Sequence, residues 1–303
     1  MTAAASVKAR SRRRGVNSRH IAPYLFVLPN MLIFGLFTIW PALNGLNLSF
    51  YDSSNGRTFK PVGTENYRAI LSDAEFWSVV RHTAVFTVGF VLISTALATV
   101  LALLLHAQRR GRGALSAAYF LPVLISPVVV GIIWRAAFER KTGLVNQSIS
   151  AVGLGQPGWL VEPHLALIAI ILVGTWIHLG FYAMILLSGL QSIDTTLYEA
   201  AKIDGSTALQ SARLITLPLL RPTMMVVIIL ATIAGFQSFD FIFTLTGGGP
   251  VRATTLMVQY IYENGFSFPI EYGLASAAAV ILFVVVFTVT FVNYVIGRRS
   301  DAI

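Results

Sequence analysis

Six segments of this chain are apolar for long enough to cross a bilayer: Tyr24–Leu43, His82–His106, Ala114–Ala136, Leu165–Leu190, Pro222–Leu245 and Leu274–Ile296. A helical span needs about 20 mostly apolar residues. None of the six shows the two-residue alternation of a lipid-facing barrel strand. In hydrocarbon a backbone has to satisfy its own hydrogen bonds, so each segment is expected to be a helix. The expected fold is an all-α integral membrane protein with six transmembrane helices. Pro29, Pro122 and Pro127 lie inside spans and predict kinks or broken turns there.

Composition agrees. Of 303 residues, 55% are hydrophobic and 12% charged, where soluble proteins carry about a quarter charged. Cys is absent, which excludes disulfides, Cys-ligated metals and a Cys nucleophile. A net charge of +9 would suggest nucleic acid in a soluble protein. Here it reports topology, and no nucleic-acid partner is expected.

Six spans put both termini on one side. That side holds fourteen Lys and Arg, in the N-terminal tail, at Arg109, Arg110 and Arg112, at Lys202, Arg213 and Arg221, and at Arg298 and Arg299. The other side holds eight, balanced by eight carboxylates. The first side is therefore expected to be cytoplasmic. Residues 1–21 read as a basic, disordered tail, 22–297 as the membrane domain, and 298–303 as a cytoplasmic end. Arg12-Arg13-Arg14 faintly resembles a twin-arginine signal, but a basic tail fits better before five further spans.

The loop between the fourth and fifth spans, residues 191–221, has clear local physics. Asp194 can cap a helix carrying Leu197, Tyr198, Glu199, Ala200 and Ala201. Asp204-Gly205 permits a sharp left-handed turn. A second helix is expected from about Thr207, with Leu209, Ala212 and Leu214 apolar, and Pro218 is expected to break it. The product is a short helix–turn–helix suited to docking another protein.

Glu199-Ala200-Ala201, three residues, Gly205, nine residues, then Ile215-x-Leu217-Pro218 resembles, without a gap, the cytoplasmic EAA loop of bacterial ABC-importer permeases. Val62-Gly63-Thr64-Glu65-Asn66-Tyr67 and Leu245-Thr246-Gly247-Gly248-Gly249-Pro250 look like the carbohydrate-uptake branch, in particular the maltose-type first permease subunit and its glycerol-3-phosphate relatives. The resemblance spans roughly residues 22–297. It implies a bacterial inner-membrane subunit paired with a second permease subunit, an ATPase dimer on the cytoplasmic face and an extracytoplasmic solute-binding protein. It also implies that about Asp194–Ile203 is a coupling helix seated in an ATPase cleft. Glu199 would meet a basic group there, with Tyr198, Asp204, Gly205, Ile215, Leu217 and Pro218 completing the coupling element. No Gly-x-x-x-x-Gly-Lys-Ser/Thr occurs, so this chain is expected to carry no cofactor and no ATPase site. ATP and magnesium would be held by the partner ATPase. Gly247-Gly248-Gly249-Pro250 reads as a flexible turn.

Polar residues inside spans are costly and tend to face a cavity. On span four, Thr175, His178 and Tyr182 recur at i, i+3, i+7, with Trp176 and Gly180 nearby. On span five, Gln237, Asp240 and Thr244 do the same, beside Ser238 and among Phe236, Phe239, Phe241 and Phe243. Hydroxyl, amide, carboxylate and aromatic groups together suit a polyol or sugar. In the resembled maltose-type subunits these helix regions also line the substrate cavity. The bland alternatives are helix packing and, for Asp240, a bond to a neighbouring helix or subunit. Glu139, Arg140 and Lys141 read as a solvated loop before any docking role. The five His lack metal spacing. A sugar or oligosaccharide is the expected solute, with glycerol-3-phosphate or a glycerophosphodiester the alternative. A secondary transporter would need matching halves around Asp240, and an intramembrane enzyme a catalytic pair; the chain carries neither pattern.

Overall fold

A computed structural model describes residues 18–53, 55–108, 110–153 and 155–300, with side chains between 24 and 297. The disorder expected for the N-terminal tail falls outside the described residues, apart from helical backbone from Ser18. Residues 1–47 and 48–303 form two compact units.

The first unit holds the first span. Helix α1 (Ser18–Phe34), a π-helical turn (Gly35–Ile39) and α2 (Trp40–Leu48) run on continuously. Pro29 does not interrupt α1, contrary to the kink expected there. The wide turn, closed by Trp40 N–H on the Gly35 carbonyl, ends one residue before Trp40, the predecessor of Pro41. A proline ring collides with the carbonyl one α-turn back, and a widened turn moves that carbonyl away.

In the second unit a two-strand hairpin, β1 (Tyr51–Asp52) and β2 (Lys60–Pro61), precedes α3 (Glu65–Ser72) and the 34-residue α4 (Ala74–Ala107). Then come α5 (Arg112–Leu124), α6 (Pro127–Ala137), α7 (Leu144–Ala151) and α8 (Pro163–Gln191). The remainder is α9 (Thr195–Ile203), α10 (Ala208–Ser211), α11 (Leu217–Phe236), α12 (Asp240–Leu245), α13 (Met257–Phe266) and α14 (Tyr272–Ser300).

Five helices are long and apolar enough to cross a membrane, or six if α5 and α6 count as one broken span. The third expected span, Ala114–Ala136, is broken as expected at Pro127: it bends by 97° between Leu124 and Pro127. Pro127, at the first turn of α6, has no N–H to continue the α5 ladder. Pro122, by contrast, stays inside α5. The expected break at Pro218 is corrected. The helix runs from Ala208 to Phe236, because a second π turn, Ala212–Thr216, again ends one residue before the proline's predecessor and receives the Leu217 N–H on Ala212.

Helix α8 is the axle of this unit, packed on α4, α5 and α11. Phe86 and Phe90 of α4 and Ile170, Val173, Ile177 and Leu186 of α8 lie at its centre, each at most 3% exposed. Between membrane helices the driving force is close packing rather than escape from water, so small residues at the contact matter. A Cβ added at Gly180 would stand 1.9 Å from the Tyr119 carbonyl oxygen of α5; at Gly189 it would meet the Thr223 hydroxyl at 2.5 Å. The α8 backbone thus lies directly against a neighbour only because these positions lack side chains. A second cluster, Ile70, Phe76, Val79, Met257, Tyr260, Ala277 and Ala278, ties α3, α4, α13 and α14 at the end away from α9.

Gly180→Ala should destabilise the fold by about 1–3 kcal/mol through overpacking, read as thermal unfolding in detergent. Gly189→Ala meets side-chain atoms of Thr223 and Leu220 and no backbone carbonyl, and should cost less. Equal losses at both positions would contradict the backbone-contact account.

Candidate functional site

The loop after α8 forms the expected helix–turn–helix. The Asp194 carboxylate accepts the Thr196 N–H at 2.9 Å and caps α9. That N–H, and then the Thr196 hydroxyl, hold Asp194 below the usual carboxylate range. At the other end Gly205 takes φ +79°. Ser206 N–H returns to the Ala201 carbonyl at 2.9 Å and Gly205 N–H to Lys202 at 3.1 Å. These two bonds define a Schellman termination. Thr207 and Gln210 then form a reciprocal capping box that opens α10.

The hairpin is pinned to the following helix by one side-chain bond, Tyr198 Oη to Thr216 Oγ1 at 3.0 Å. Thr216 is buried, whereas Ile215, Leu217 and Pro218 are half-buried around it. Glu199, Ala200 and Asp204 are exposed, and Glu199 carries no ion pair among the described residues. Three apolar side chains stand free: Ile203 at 88% exposure, Leu209 at 79% and Leu214 at 70%. Isolated exposed apolar groups are ordinary, but Ile203 and Leu209 on either side of one short turn suit contact with another surface.

The second region is the interruption of span five. Helix α11 stops at Phe236 and α12 starts at Asp240. Ser238 N–H bonds the Gly235 carbonyl at 3.3 Å, and its hydroxyl takes the Ala234 carbonyl at 2.8 Å. The hydroxyl thereby replaces the α-helical bond that its own N–H would have made. The expected continuous face of Gln237, Asp240 and Thr244 is corrected accordingly. Gln237 and Asp240 are exposed on either side of the break. Gln237 opens into a groove of about 490 Å³ shared with Phe287, Thr290 and Tyr294 of α14. Phe236 lines a different groove, of about 400 Å³, with Thr87, Thr232 and Asn293.

Thr244 faces inward. Its hydroxyl donates to the Val128 carbonyl of α6 at 3.1 Å, with the Asp240 and Phe241 carbonyls each at 3.2 Å. Gly131 lies opposite, where a Cβ would collide with the Thr244 hydroxyl. The two broken spans therefore meet each other.

The span-four residues do share one face, and that face packs on α4. Thr175 and Tyr182 are 3% and 1% exposed. The His178 ring is T-shaped against Phe90 at 5.4 Å and stacked on Tyr182 at 5.7 Å. Its Nδ1 lies 3.0 Å from the Gly174 carbonyl. The Thr175 hydroxyl is buried with no partner among the described residues. Trp176 points elsewhere, edge-on to Trp134 of α6 at 5.5 Å. No hydrogen bond among the described residues joins Thr175, His178 or Tyr182 to Gln237 or Asp240. The two stripes are separate features.

Phe239 and Phe243, named in the sequence beside the span-five polar residues, belong to an aromatic cluster whose α13 members were not legible there. Phe239 and Phe243 contact Tyr262 of α13 at 5.1 and 5.6 Å, and Tyr262 stacks on Phe266 at 5.5 Å. Phe241 instead turns inward against Gly174. The glycine run after span five is no open turn. Gly248 has φ +89°, and a Cβ there would meet Gln259 Nε2 at 2.4 Å. Thr254 Oγ1 donates to the Gly249 carbonyl at 2.7 Å and lies 2.7 Å from Thr246 Oγ1. Asn66, from the motif after span one, donates to the Ser49 and Tyr51 carbonyls, both at 2.9 Å. Glu139 caps its own turn, accepting from Lys141 N–H, Thr142 N–H and the Thr142 hydroxyl at 2.8, 2.6 and 2.8 Å. The Thr142 bonds hold its carboxyl below the usual range.

Comparison with known proteins places this architecture. Residues 91–301 match the family described as binding-protein-dependent transport system inner membrane component. The chain is 36% identical over 287 residues to the trehalose/maltose transport system permease protein MalF of Thermococcus litoralis, covering 92% of this chain and 94% of that one. It is 32% identical to the lactose transport system permease protein LacF of Rhizobium radiobacter, covering 91% and 94%. The sn-glycerol-3-phosphate transport system permease protein UgpA of Agrobacterium fabrum is 31% identical, covering 89% and 92%. Among solved structures, a chain of a bacterial ABC transporter involved in import of the acidic polysaccharide alginate superposes with a TM-score of 0.81 at 26% identity, covering 93% and 96%. A membrane-spanning helical bundle with a capped contact hairpin, matched along nine-tenths of its length by permeases, belongs to the family of binding-protein-dependent transport system inner membrane components.

Proposed function

We propose that this chain is the maltose-type permease subunit of an ATP-driven importer for a sugar or oligosaccharide. It pairs with a second permease subunit in a bacterial inner membrane, with both termini cytoplasmic. It takes solute from an extracytoplasmic binding protein and receives its power stroke from an ATPase dimer, which alone binds ATP and magnesium. The observation that carries this reading is the helix–turn–helix at 194–211, with α9 capped at both ends, Ile203 and Leu209 exposed on either side of the Gly205 turn, and its second helix continuous with a membrane helix.

That continuity supports a mechanism. Ala208–Phe236 is one 29-residue helix, about 43 Å long at 1.5 Å per residue. The Tyr198–Thr216 bond fastens α9 to its base. Displacement of α9 by an ATPase would travel along this rod to the break at Gln237–Phe239. There the helix ends beside Asp240, Gln237 and the ring cluster of Phe239, Phe243 and Tyr262. Carboxylate and amide acceptors next to aromatic faces suit the hydroxyls and apolar faces of a sugar ring. The relatives' maltose, lactose and trehalose names support this solute class. The glycerol-3-phosphate relative keeps an anionic polyol as the second reading, against which stands the carboxylate of Asp240. Thr175, His178 and Tyr182 serve this scheme as packing that holds α8 on α4, and Thr244 by joining α12 to α6.

The test is co-purification of the chain with its ATPase and second permease, reconstitution in liposomes with the binding protein, and uptake of labelled maltooligosaccharides and glycerol-3-phosphate. ATP-dependent uptake of the former is expected. A chain that transports alone would overturn the reading. Gly205→Val forces a β-branched side chain into φ +79°, at about 1–2 kcal/mol, and should lower uptake about tenfold while the binding protein still docks. Tyr198→Phe, which loses a bond worth about 1 kcal/mol, should act in the same direction but less. Asp240→Asn should reduce uptake about tenfold with assembly intact; normal uptake would remove Asp240 from the solute path.

A further inference from the structure

At the end of the bundle away from α9, the start of α4, the loop after α12, α13 and the start of α14 enclose a cleft of about 360 Å³. Four carboxylates line it, Asp73, Glu75, Glu263 and Glu271, against one cation, Arg252. That guanidinium is already engaged, at 2.7 Å from Glu75 and 2.8 Å from Glu263. One Asp73 oxygen accepts the Glu75 N–H at 2.9 Å. The Glu271 carboxylate has neither a hydrogen bond nor an ion pair among the described residues.

A second feature points at a ligand. Tyr260 lines the cleft while only 4% exposed, and its hydroxyl has no hydrogen-bond partner among the described residues. Burial, then the charges of Asp73, Glu75 and Glu271, push this phenol up to about 12, so it stays neutral. At the rim stands Phe268, 96% exposed. The free groups are thus a carboxylate, a neutral hydroxyl and an aromatic ring, with surplus negative charge. A basic side chain is the complement, because guanidinium and ammonium groups only donate, pair with carboxylates and favour ring faces. Guanidinium, planar and with five donors, fits such a set better than ammonium.

We propose that this cleft is a docking socket on the outer face that receives an arginine side chain of the solute-binding protein. The proposal rests on the importer reading, which puts this end of the bundle outside the cytoplasm. The socket acts by charge complementarity, steering the binding protein and fixing its orientation over the permease.

The test uses the complete transporter complex in nanodiscs and the purified, fluorescently labelled solute-binding protein of the same host. Glu271→Lys should weaken binding about tenfold and flatten its dependence on salt. Asp73→Asn, which keeps a capping side chain on α4, should weaken it by a smaller factor and guards against loss through misfolding. Basal ATP hydrolysis should not change in either variant. Replacing the matching arginine of the binding protein by glutamate should restore affinity to the Glu271→Lys complex only. Native complex that binds while both variants bind equally well would overturn the socket and leave the importer reading intact. Native complex that binds no binding protein would overturn the importer reading. A thermal shift with calcium alone that is lost in Glu271→Gln would give the cleft to a divalent cation and overturn the socket.

Discussion

A backbone in hydrocarbon has no water to fall back on, and the irregular parts of this chain are arranged around that constraint. Where span three bends, Thr244 of α12 donates to the Val128 carbonyl in the first turn of α6 and ties the bend to span five. Where span five breaks, Ser238 closes the freed Ala234 carbonyl with its own hydroxyl. The two interruptions then lean on each other through Gly131. The break in span five is completed by a local hydroxyl, and the bend in span three packs against it. The same economy explains α8. With little hydrophobic gain available between lipid-facing helices, close backbone approach at Gly180 adds to the packing of Phe86, Phe90 and the aliphatic side chains of α8.

What could be read from the sequence was what depends on neighbours within a few residues. Hydropathy located the spans, and Asp194, Gly205 and Thr207 marked the hairpin because caps and left-handed turns are local chemistry. What could not be read depended on distant partners. Pro29 and Pro122 look no different from Pro127 along the chain, yet only Pro127 sits at a sharp bend. Its break is sustained by α12, more than a hundred residues later. Pro218 also looked like a terminator, and the π turn that accommodates it leaves no mark in hydropathy. The span-four stripe was correctly placed on one helix face, but periodicity does not say whether a polar face meets a cavity or another helix. Phe90 decided that for His178. The α13 partners of Phe239 and Phe243, and the acidic cleft, escaped notice because α13 is too short to register as a span.

The two ends of the bundle differ in kind. The hairpin end offers the apolar side chains Ile203 and Leu209 on a capped scaffold. The far end offers charge, with Arg252 strapping α4 to α13 in a loop where both Val251 and Arg252 hold positive φ. Such strain in a β-branched residue persists only where the surroundings over-determine it. Here the surroundings are the Thr246, Gly248 and Thr254 bonds and the Arg252 ion pairs.

The π turn at Ala212–Thr216 has one more consequence. A π turn is an α-helix carrying one surplus residue, and each residue advances an α-helix by about 100°. That surplus sets the angular phase between the hairpin and everything from Leu217 to Phe236. The side of α11 that faces α4, and the side on which Gln237 emerges, are both fixed by a single residue at the base of the rod. In this chain, rotational alignment between the two faces of a membrane is a matter of counting.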